Sequence, residues 1–180
     1  MYRAAAGVDV EFIETDIYAL PALYCEVADI LLVTSGALCW MPDLRTYFET
    51  AWKVLKPGGA LLIYETHPFI EMFKLDRERS ADEPLVPHYS YFLVEAVRSE
   101  NGLDYYSNTK FGREVVYWFH HTLSQIIQST IDGGLVLQNF REFEHDTDSG
   151  YASLRQASVK LPMSYLIHAM KPKTYSPNQS

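Results

Sequence analysis

Runs of apolar residues predict two buried strands in the first third of the chain. Residues 28–36, ADILLVTSG, contain an unbroken apolar run from Ile30 to Val33, and residues 60–65, ALLIYE, contain a second run. Such runs are typical of strands covered on both faces, as in a parallel sheet with helices on each side. Both segments are therefore predicted to be strands of that kind.

The segment between these strands, PDLRTYFETAWKVLKPGG, has the periodicity of a helix. Asp43 is suited to cap its amino end, and Pro57-Gly58-Gly59 prevents its continuation. Strand, helix and strand in this order predict a parallel βαβ unit with a right-handed crossover. The apolar positions that form one helix face are Leu44, Tyr47, Phe48, Ala51, Trp52 and Leu55.

Weaker patterns lie on either side of this unit. Residues 8–16, VDVEFIETD, alternate as a strand does. Residues 69–118 form an insert or lid region, in which HYSYFLVEAV and LDYYSN are candidate short strands.

The last third of the chain predicts a helix and two strands. In HTLSQIIQSTIDGG, Thr122 and Gln125 have the spacing of a capping box. The predicted strands are LVLQNFREFE and VKLPMSYLIHAMK. Residues 1–171 are predicted to form a single domain, and residues 172–180 are predicted to be a disordered tail. The predicted inner face of the helix is Leu123, Ile126, Ile127 and Ile131.

Composition disfavours several classes of partner. The 15 Lys and Arg residues against 23 Asp and Glu residues give a net charge of −8, which disfavours binding to nucleic acid or anionic membranes. No apolar stretch approaches the roughly 18 residues of a membrane span. Cys25 and Cys39 lack the spacing of a metal or redox motif, and no histidine pair has metal-ligand spacing. A cytoplasmic protein without a metal site is predicted.

Polar residues follow each predicted strand of the first third. The strands end at Asp16, at Thr34-Ser35-Gly36 and at Glu65-Thr66-His67. Ligands of open α/β sheets bind beyond the carboxyl ends of parallel strands, so these residues indicate a ligand site. The alternative is that they are polar only because loops are solvated.

Taken in order, these motifs resemble a class I S-adenosylmethionine-dependent methyltransferase of the small-molecule branch. The resemblance rests on DIYALP, ADILLVTSGAL, LKPGGALLIYE, the segment YWFHHTLSQIIQSTIDGGLVLQNFREFE and LPMSYLIHAMKP. It implies an α/β fold with a Rossmann-like sheet, mostly parallel with an antiparallel last strand. It also implies S-adenosyl-L-methionine as the cofactor, framed on its adenine and methionine sides by Asp16, Ile17, Thr34, Ser35 and Leu38.

On the substrate side, the resemblance places His67 in the pocket, as a substrate contact or a proton acceptor. The alternative is a loop histidine bonded to backbone. Glu65 is either a ligand contact or the end of its strand, and His120 and His121 either reach the pocket or cap a turn. Tyr91 belongs to an aromatic set that forms a core and lid or else a cage for a cation, with Tyr89, Phe92, Tyr105, Tyr106, Tyr117 and Trp118.

The chain departs from the family at its amino end. The family opens with a strand, a glycine-rich loop and an acidic residue for the ribose, whereas Gly7 is the only glycine before Gly36. The chain is therefore predicted to be N-terminally truncated, and S-adenosylmethionine binding by this chain alone is expected to be weak or absent. Closure of the strands, a second copy in a homodimer, or sequence from a longer protein would cover the unpaired edge.

Two functions follow from this comparison. The first is methyl transfer to a small-molecule acceptor, impaired by the missing loop. The second is a non-catalytic relative that acts as a binding or oligomerisation partner.

Overall fold

A four-stranded mixed sheet of order β1-β2-β6-β5 forms the centre of the protein. The computed structural model describes residues 10–80, 82–99, 115–147 and 150–173. The strands are β1 (Ala28–Val33), β2 (Leu55–Thr66), β3 (Val97–Ser99), β4 (Val116–Trp118), β5 (Val136–Phe143) and β6 (Ser164–Met170). The helices are α1 (Leu44–Val54), α2 (Leu123–Asp132) and the short α3 (Ala152–Arg155).

Strand directions confirm the predicted class of sheet. β1 pairs with β2 in parallel, with Leu31 opposite Leu61. β6 is antiparallel to both β2 and β5. Three strands of the main sheet therefore run in one direction and the last strand opposes them, while β3 and β4 pair separately as an antiparallel ribbon.

Both long helices begin as their sequences predict. Asp43 caps α1, since its side chain accepts a hydrogen bond from the backbone N–H of Thr46 at 3.0 Å. Thr122 and Gln125 form the capping box at the start of α2. The helices then approach closely, because a Cβ on Gly133 would lie 2.7 Å from the Cβ of Phe48.

Two apolar clusters stabilise the fold. The larger lies between the sheet and the two helices and includes Phe48, Leu61 and Ile63, all with no exposed surface. The smaller contains Ile70 and Leu154 and packs the segment after β2 against α3. It fixes the turn that follows the carboxyl end of β2.

The burial of β1 differs from the prediction. Leu61 and Ile63 of β2 are fully buried, but Ile30 and Leu32 of β1 are 63% and 61% exposed. The prediction that β1 is covered on both faces is wrong, because β1 lies at an end of the sheet order and its second face has no cover among the described residues. The apolar run in β1 reports residue types only, and it does not show which faces of the strand are covered.

The strand predicted for residues 8–16 is also absent from its described part. Residues 10–16 have no strand pairing, and Phe12 is 82% exposed. Residues 8–9 lie outside the described residues. Because a strand is stabilised by hydrogen bonds to a neighbour, alternation alone does not form one.

Further corrections concern the later segments. Residues 88–96 form no strand and β3 begins at Val97, while β4 was not predicted. Ile131 is 47% exposed, and Thr130 takes the inner position with no exposed surface. The candidate strand LDYYSN and the tail from residue 174 lie outside the described residues, and the lid region 69–118 stays a prediction.

Candidate functional site

The carboxyl ends of β1, β2 and β5 meet the amino end of β6 at one edge of the sheet. Three hydroxyl groups join the loops there. The Oγ of Ser35 lies 3.2 Å from Oγ1 of Thr66 and 2.8 Å from Oγ1 of Thr147, and the two threonine oxygens are 2.9 Å apart. The loops after β1, β2 and β5 are therefore held against each other.

The carboxylate of Glu65 organises the loop after β1. It accepts hydrogen bonds from the backbone N–H groups of Gly36 at 2.8 Å, Ala37 at 2.8 Å and Leu38 at 3.1 Å. Burial raises the pKa of Glu65, and these N–H groups partly oppose that shift. Glu65 was predicted as a substrate contact, and here its oxygens are engaged by the protein's own backbone.

Both ring nitrogens of His67 have partners. Nδ1 accepts the N–H of Phe69 at 3.0 Å, so Nε2 carries the proton and donates to Oε1 of Glu142 at 3.0 Å. Burial lowers the pKa of His67, and Glu142 opposes that shift. The imidazole is therefore neutral and held in one tautomer, and it would have to give up a hydrogen bond to accept a proton.

Three of the predicted substrate residues lie together. Nε2 of His121 donates to the carbonyl of Met41 at 2.8 Å, and burial lowers the pKa of His121. The ring of Tyr91 lies 5.9 Å from that of His120, and its hydroxyl accepts the N–H of Leu123 at 3.1 Å. Tyr91 thus links the histidine pair to the start of α2.

Sequence reasoning missed Glu71, the carboxylate in the middle of this group. It lies in the short 3₁₀ turn Ile70–Met72, and its Oε2 is 3.5 Å from Nδ1 of His120. Burial raises the pKa of Cys39 to about 12, and the negative charge of Glu71 adds to the shift. The position of Glu71, four residues after His67, was the available signal.

A small polar cavity lies between these groups. Its volume is about 10 Å³, which is the space of a single water molecule. Glu65, Glu71 and His121 line it, so the two carboxylates and this histidine face one space. The remaining lining residues are Leu38, Cys39, Thr66, Pro68, Phe119, Ile126 and Tyr165.

The predicted cofactor residues fall into two groups. Asp16 caps a 3₁₀ turn by accepting the N–H of Tyr18 at 2.9 Å, and the hydroxyl of Tyr18 joins this turn to Asp43 at the start of α1. Thr34, Ser35 and Leu38 lie in the loop that Glu65 holds. Ile17 of the turn packs against the main core, and the side chain of Leu38 is buried.

The described residues contain no group of three or more His, Cys, Asp or Glu side chains that could hold a metal ion. None of the described helices has the length and apolar character that crossing a membrane would require.

Solved structures with this fold include S-adenosylmethionine-dependent methyltransferases. An S-adenosylmethionine-dependent methyltransferase from Mesorhizobium loti is 21% identical, with a TM-score of 0.55 over 93% of this chain and 73% of its own. A protein from Listeria monocytogenes assigned to the same class is 20% identical, with a TM-score of 0.62 over 94% of this chain and 74% of its own. The PH0226 protein from Pyrococcus horikoshii is 15% identical, with a TM-score of 0.56 over 94% of this chain and 63% of its own.

The fold is thus the Rossmann-like α/β fold of these solved structures. Residues 2–63 match the family described as a methyltransferase domain, and no curated protein matches the chain. Together the family match over residues 2–63 and the fold make the chain similar to S-adenosylmethionine-dependent methyltransferases, whose cofactor is S-adenosyl-L-methionine.

Proposed function

We propose that this protein transfers a methyl group from S-adenosylmethionine to a small-molecule acceptor. The observation that carries the proposal is the convergence of the Glu65-held loop and the Glu71, His120 and His121 cluster on one edge of the sheet. Methyl transfer requires the protein to align two reactants and exclude water, and a packed edge of this kind is suited to both tasks.

We assign the contacts to the cofactor to Asp16, Ile17, Thr34, Ser35 and Leu38. One oxygen of Asp16 caps the turn, and the other is the candidate acceptor for the adenine amine. This set offers few charge-assisted hydrogen bonds. Each absent bond weakens binding by roughly 1.5–3 kcal/mol, so two of them lower a micromolar affinity by about three orders of magnitude. We therefore expect weak binding by the 180-residue chain alone.

We assign the surroundings of the methyl acceptor to His67, His120, His121, Tyr91 and Glu65. The contacts of Glu65 and His67 suggest that they position the loops around the acceptor. A small molecule suits the buried histidine cluster, and the net charge of −8 disfavours a nucleic-acid acceptor. The cytoplasm is the compartment proposed for the reaction.

Calorimetric titration with S-adenosylmethionine tests the cofactor assignment. We expect a dissociation constant in the millimolar range, weakened further in Asp16→Ala and unchanged in the exposed control Asp29→Ala. A mass-spectrometric screen of small acceptors for S-adenosylhomocysteine formation then tests transfer. If millimolar S-adenosylmethionine gives no heat of binding and no acceptor yields S-adenosylhomocysteine, the proposal is contradicted.

A binding or oligomerisation role is the second candidate, and the exposed edge of β1 favours it. Ile30 and Leu32 are apolar and exposed there, and an uncovered edge strand is a template for pairing with another chain. Light scattering decides between a homodimer and a monomer. If β1 mediates a homodimer, Leu32→Lys will dissociate it, while Val136→Lys on the opposite edge strand will not.

A further inference from the structure

The turn that follows Asp16 has little packing to hold it in place. It is the 3₁₀ turn Ile17–Ala19, which has no buried residue and whose contacts with the main core come from partly buried side chains. Residues 10–16 before it pair with no strand, and the next turn, Ala22–Tyr24, has no buried residue either. Because few buried apolar contacts restrain this part of the chain, a specific hydrogen bond has a large influence on where Asp16 lies.

Tyr18 connects this turn to the start of α1. Its hydroxyl donates to the carbonyl of Asp43 at 3.2 Å and accepts the backbone N–H of the same residue at 3.2 Å. Asp43 is itself fixed, since its two side-chain oxygens accept the N–H of Thr46 at 3.0 Å and the hydroxyl of Thr46 at 2.6 Å. Burial raises the pKa of Tyr18, so the hydroxyl keeps its proton and remains a donor. The turn is thus anchored to a residue 25 positions further along the chain.

The backbone of Tyr18 holds the carboxylate of Asp16. Its N–H donates to Oδ1 of Asp16 at 2.9 Å, and the carbonyl of Asp16 accepts the N–H of Ala19 at 3.0 Å. One carboxylate oxygen is therefore occupied, which sets the direction of the other, the candidate acceptor for the adenine amine. A single residue has its hydroxyl on α1 and its N–H on the carboxylate assigned to adenine.

We infer that Tyr18 is a positioning residue for cofactor recognition, which holds the carboxylate of Asp16 in place relative to α1. This inference rests on the proposed function and explains how the chain would distinguish adenine from a related base. The amine of adenine donates a hydrogen bond to a carboxylate, whereas hypoxanthine has a carbonyl oxygen at that position, so two acceptors would face each other. Rejection of hypoxanthine requires a fixed carboxylate, since a mobile one can turn away from the carbonyl.

Amide hydrogen exchange of the full chain tests the connection without any ligand. In Tyr18→Phe the N–H of Asp43 loses its acceptor and should exchange roughly threefold faster or more, after correction for intrinsic rates. The N–H of residue 18 should also exchange roughly threefold faster, because the turn that holds it against Asp16 is loosened. Faster exchange at Asp43 alone would confine Tyr18 to the start of α1 and would overturn the inference.

Tyr24→Phe is the matched control for these rates. Tyr24 lies in the next 3₁₀ turn, and its hydroxyl has no hydrogen bond among the described residues. The substitution removes the same atom from a neighbouring turn, so neither amide should respond. An equal response to Tyr24→Phe would show that any loss of a hydroxyl loosens this part of the chain, and it would overturn the inference.

Chemical-shift titrations with S-adenosylhomocysteine and S-inosylhomocysteine, which differ only in the base, then test recognition. Wild type should bind the adenosyl compound roughly tenfold more tightly. Tyr18→Phe should weaken binding of the adenosyl compound roughly fivefold and change that of the inosyl compound by less than about twofold. In an Asp16→Ala background the same substitution should change either affinity by less than about twofold, because its effect passes through that carboxylate. Preserved amide spectra establish that each variant folds.

The outcomes distinguish the inference from the proposed function. If S-adenosylhomocysteine binds wild type and Tyr18→Phe weakens both compounds equally or neither of them, the inference is overturned and the proposed function stands. A full effect of Tyr18→Phe in the Asp16→Ala background would overturn it in the same way. If both amides respond but neither compound binds wild type, the anchoring of the turn is supported, while adenine recognition and the proposed function are contradicted together.

Discussion

Oε2 of Glu65 lies 2.8 Å from the backbone nitrogen of Gly36, and this hydrogen bond joins the end of β2 to the loop after β1. Gly36 has a φ of +83°, a conformation that suits glycine, so the loop can turn back toward the carboxylate. The two parallel strands are thus connected at the edge where the candidate site lies.

Replacing Glu65 with alanine should destabilise the protein. The substitution leaves the N–H groups of Gly36, Ala37 and Leu38 without their acceptor, at a cost of roughly 3 kcal/mol or more. Urea unfolding measures the change. The control is Glu144→Ala, which removes a surface ion pair with Lys160. Its free energy of unfolding should stay within about 0.5 kcal/mol of the wild-type value. Equal stability of the two variants would contradict the role assigned to Glu65.

Lys171 provides a second test, at the opposite edge of the sheet. Its buried Nζ lies 3.0 Å from Oε1 of Glu26, 2.8 Å from the carbonyl of Leu55 and 3.8 Å from the ring centre of Trp52. Lys171→Met should cost about 2 kcal/mol, because the carbonyl loses its donor. Lys56→Met removes an exposed ion pair and should change the unfolding free energy by less than 1 kcal/mol. A similar effect of both substitutions would count against this reading.

Gly133 tests the packing of α2 against α1. Alanine there would place a Cβ 2.7 Å from the Cβ of Phe48 and 2.9 Å from its carbonyl carbon, so the helices would have to move apart. We expect a loss of roughly 1–3 kcal/mol in thermal or urea unfolding. Gln128→Ala on the exposed side of α2 serves as the control. A Gly133→Ala protein as stable as wild type would show that the helices have room to separate.

The buried histidines predict a dependence of stability on pH. Burial lowers the pKa of His67 and His121 below their ordinary value of 6.5, so the unfolded chain binds these protons at a higher pH than the native protein does. Their contribution is complete above pH 6.5 and decreases as the pH falls below it. Burial raises the pKa of Glu65 above 4.5, so its contribution has the opposite slope, decreasing as the pH rises above 4.5.

Comparison with a variant isolates the histidine contribution. Urea unfolding of wild type and His67→Gln between pH 8 and pH 5 gives two curves of unfolding free energy. The curve of the variant should fall less steeply below pH 6.5, since glutamine does not titrate. Parallel curves would show that His67 has the same proton affinity in the native and unfolded states.

Much of the fold followed from local sequence. The apolar spacing of α1, its cap at Asp43 and the capping box at Thr122 depend on residues within one or two turns, and the structure confirms all three. The parallel β1–β2 pair followed from the order of strand, helix and strand, because a crossover of this kind returns the chain in the same direction.

The tertiary structure decided which faces are buried and which polar groups are free. The apolar run of β1 did not reveal that Ile30 is exposed, because exposure depends on elements distant in the chain. Similarly, Glu65 and His67 had the residue types of a ligand site, and only the folded loops engaged them with backbone and Glu142. The sequence determined which chemical groups reach the edge of the sheet. Long-range packing determined that His120, beside Glu71, is left without a hydrogen-bond partner among the described residues.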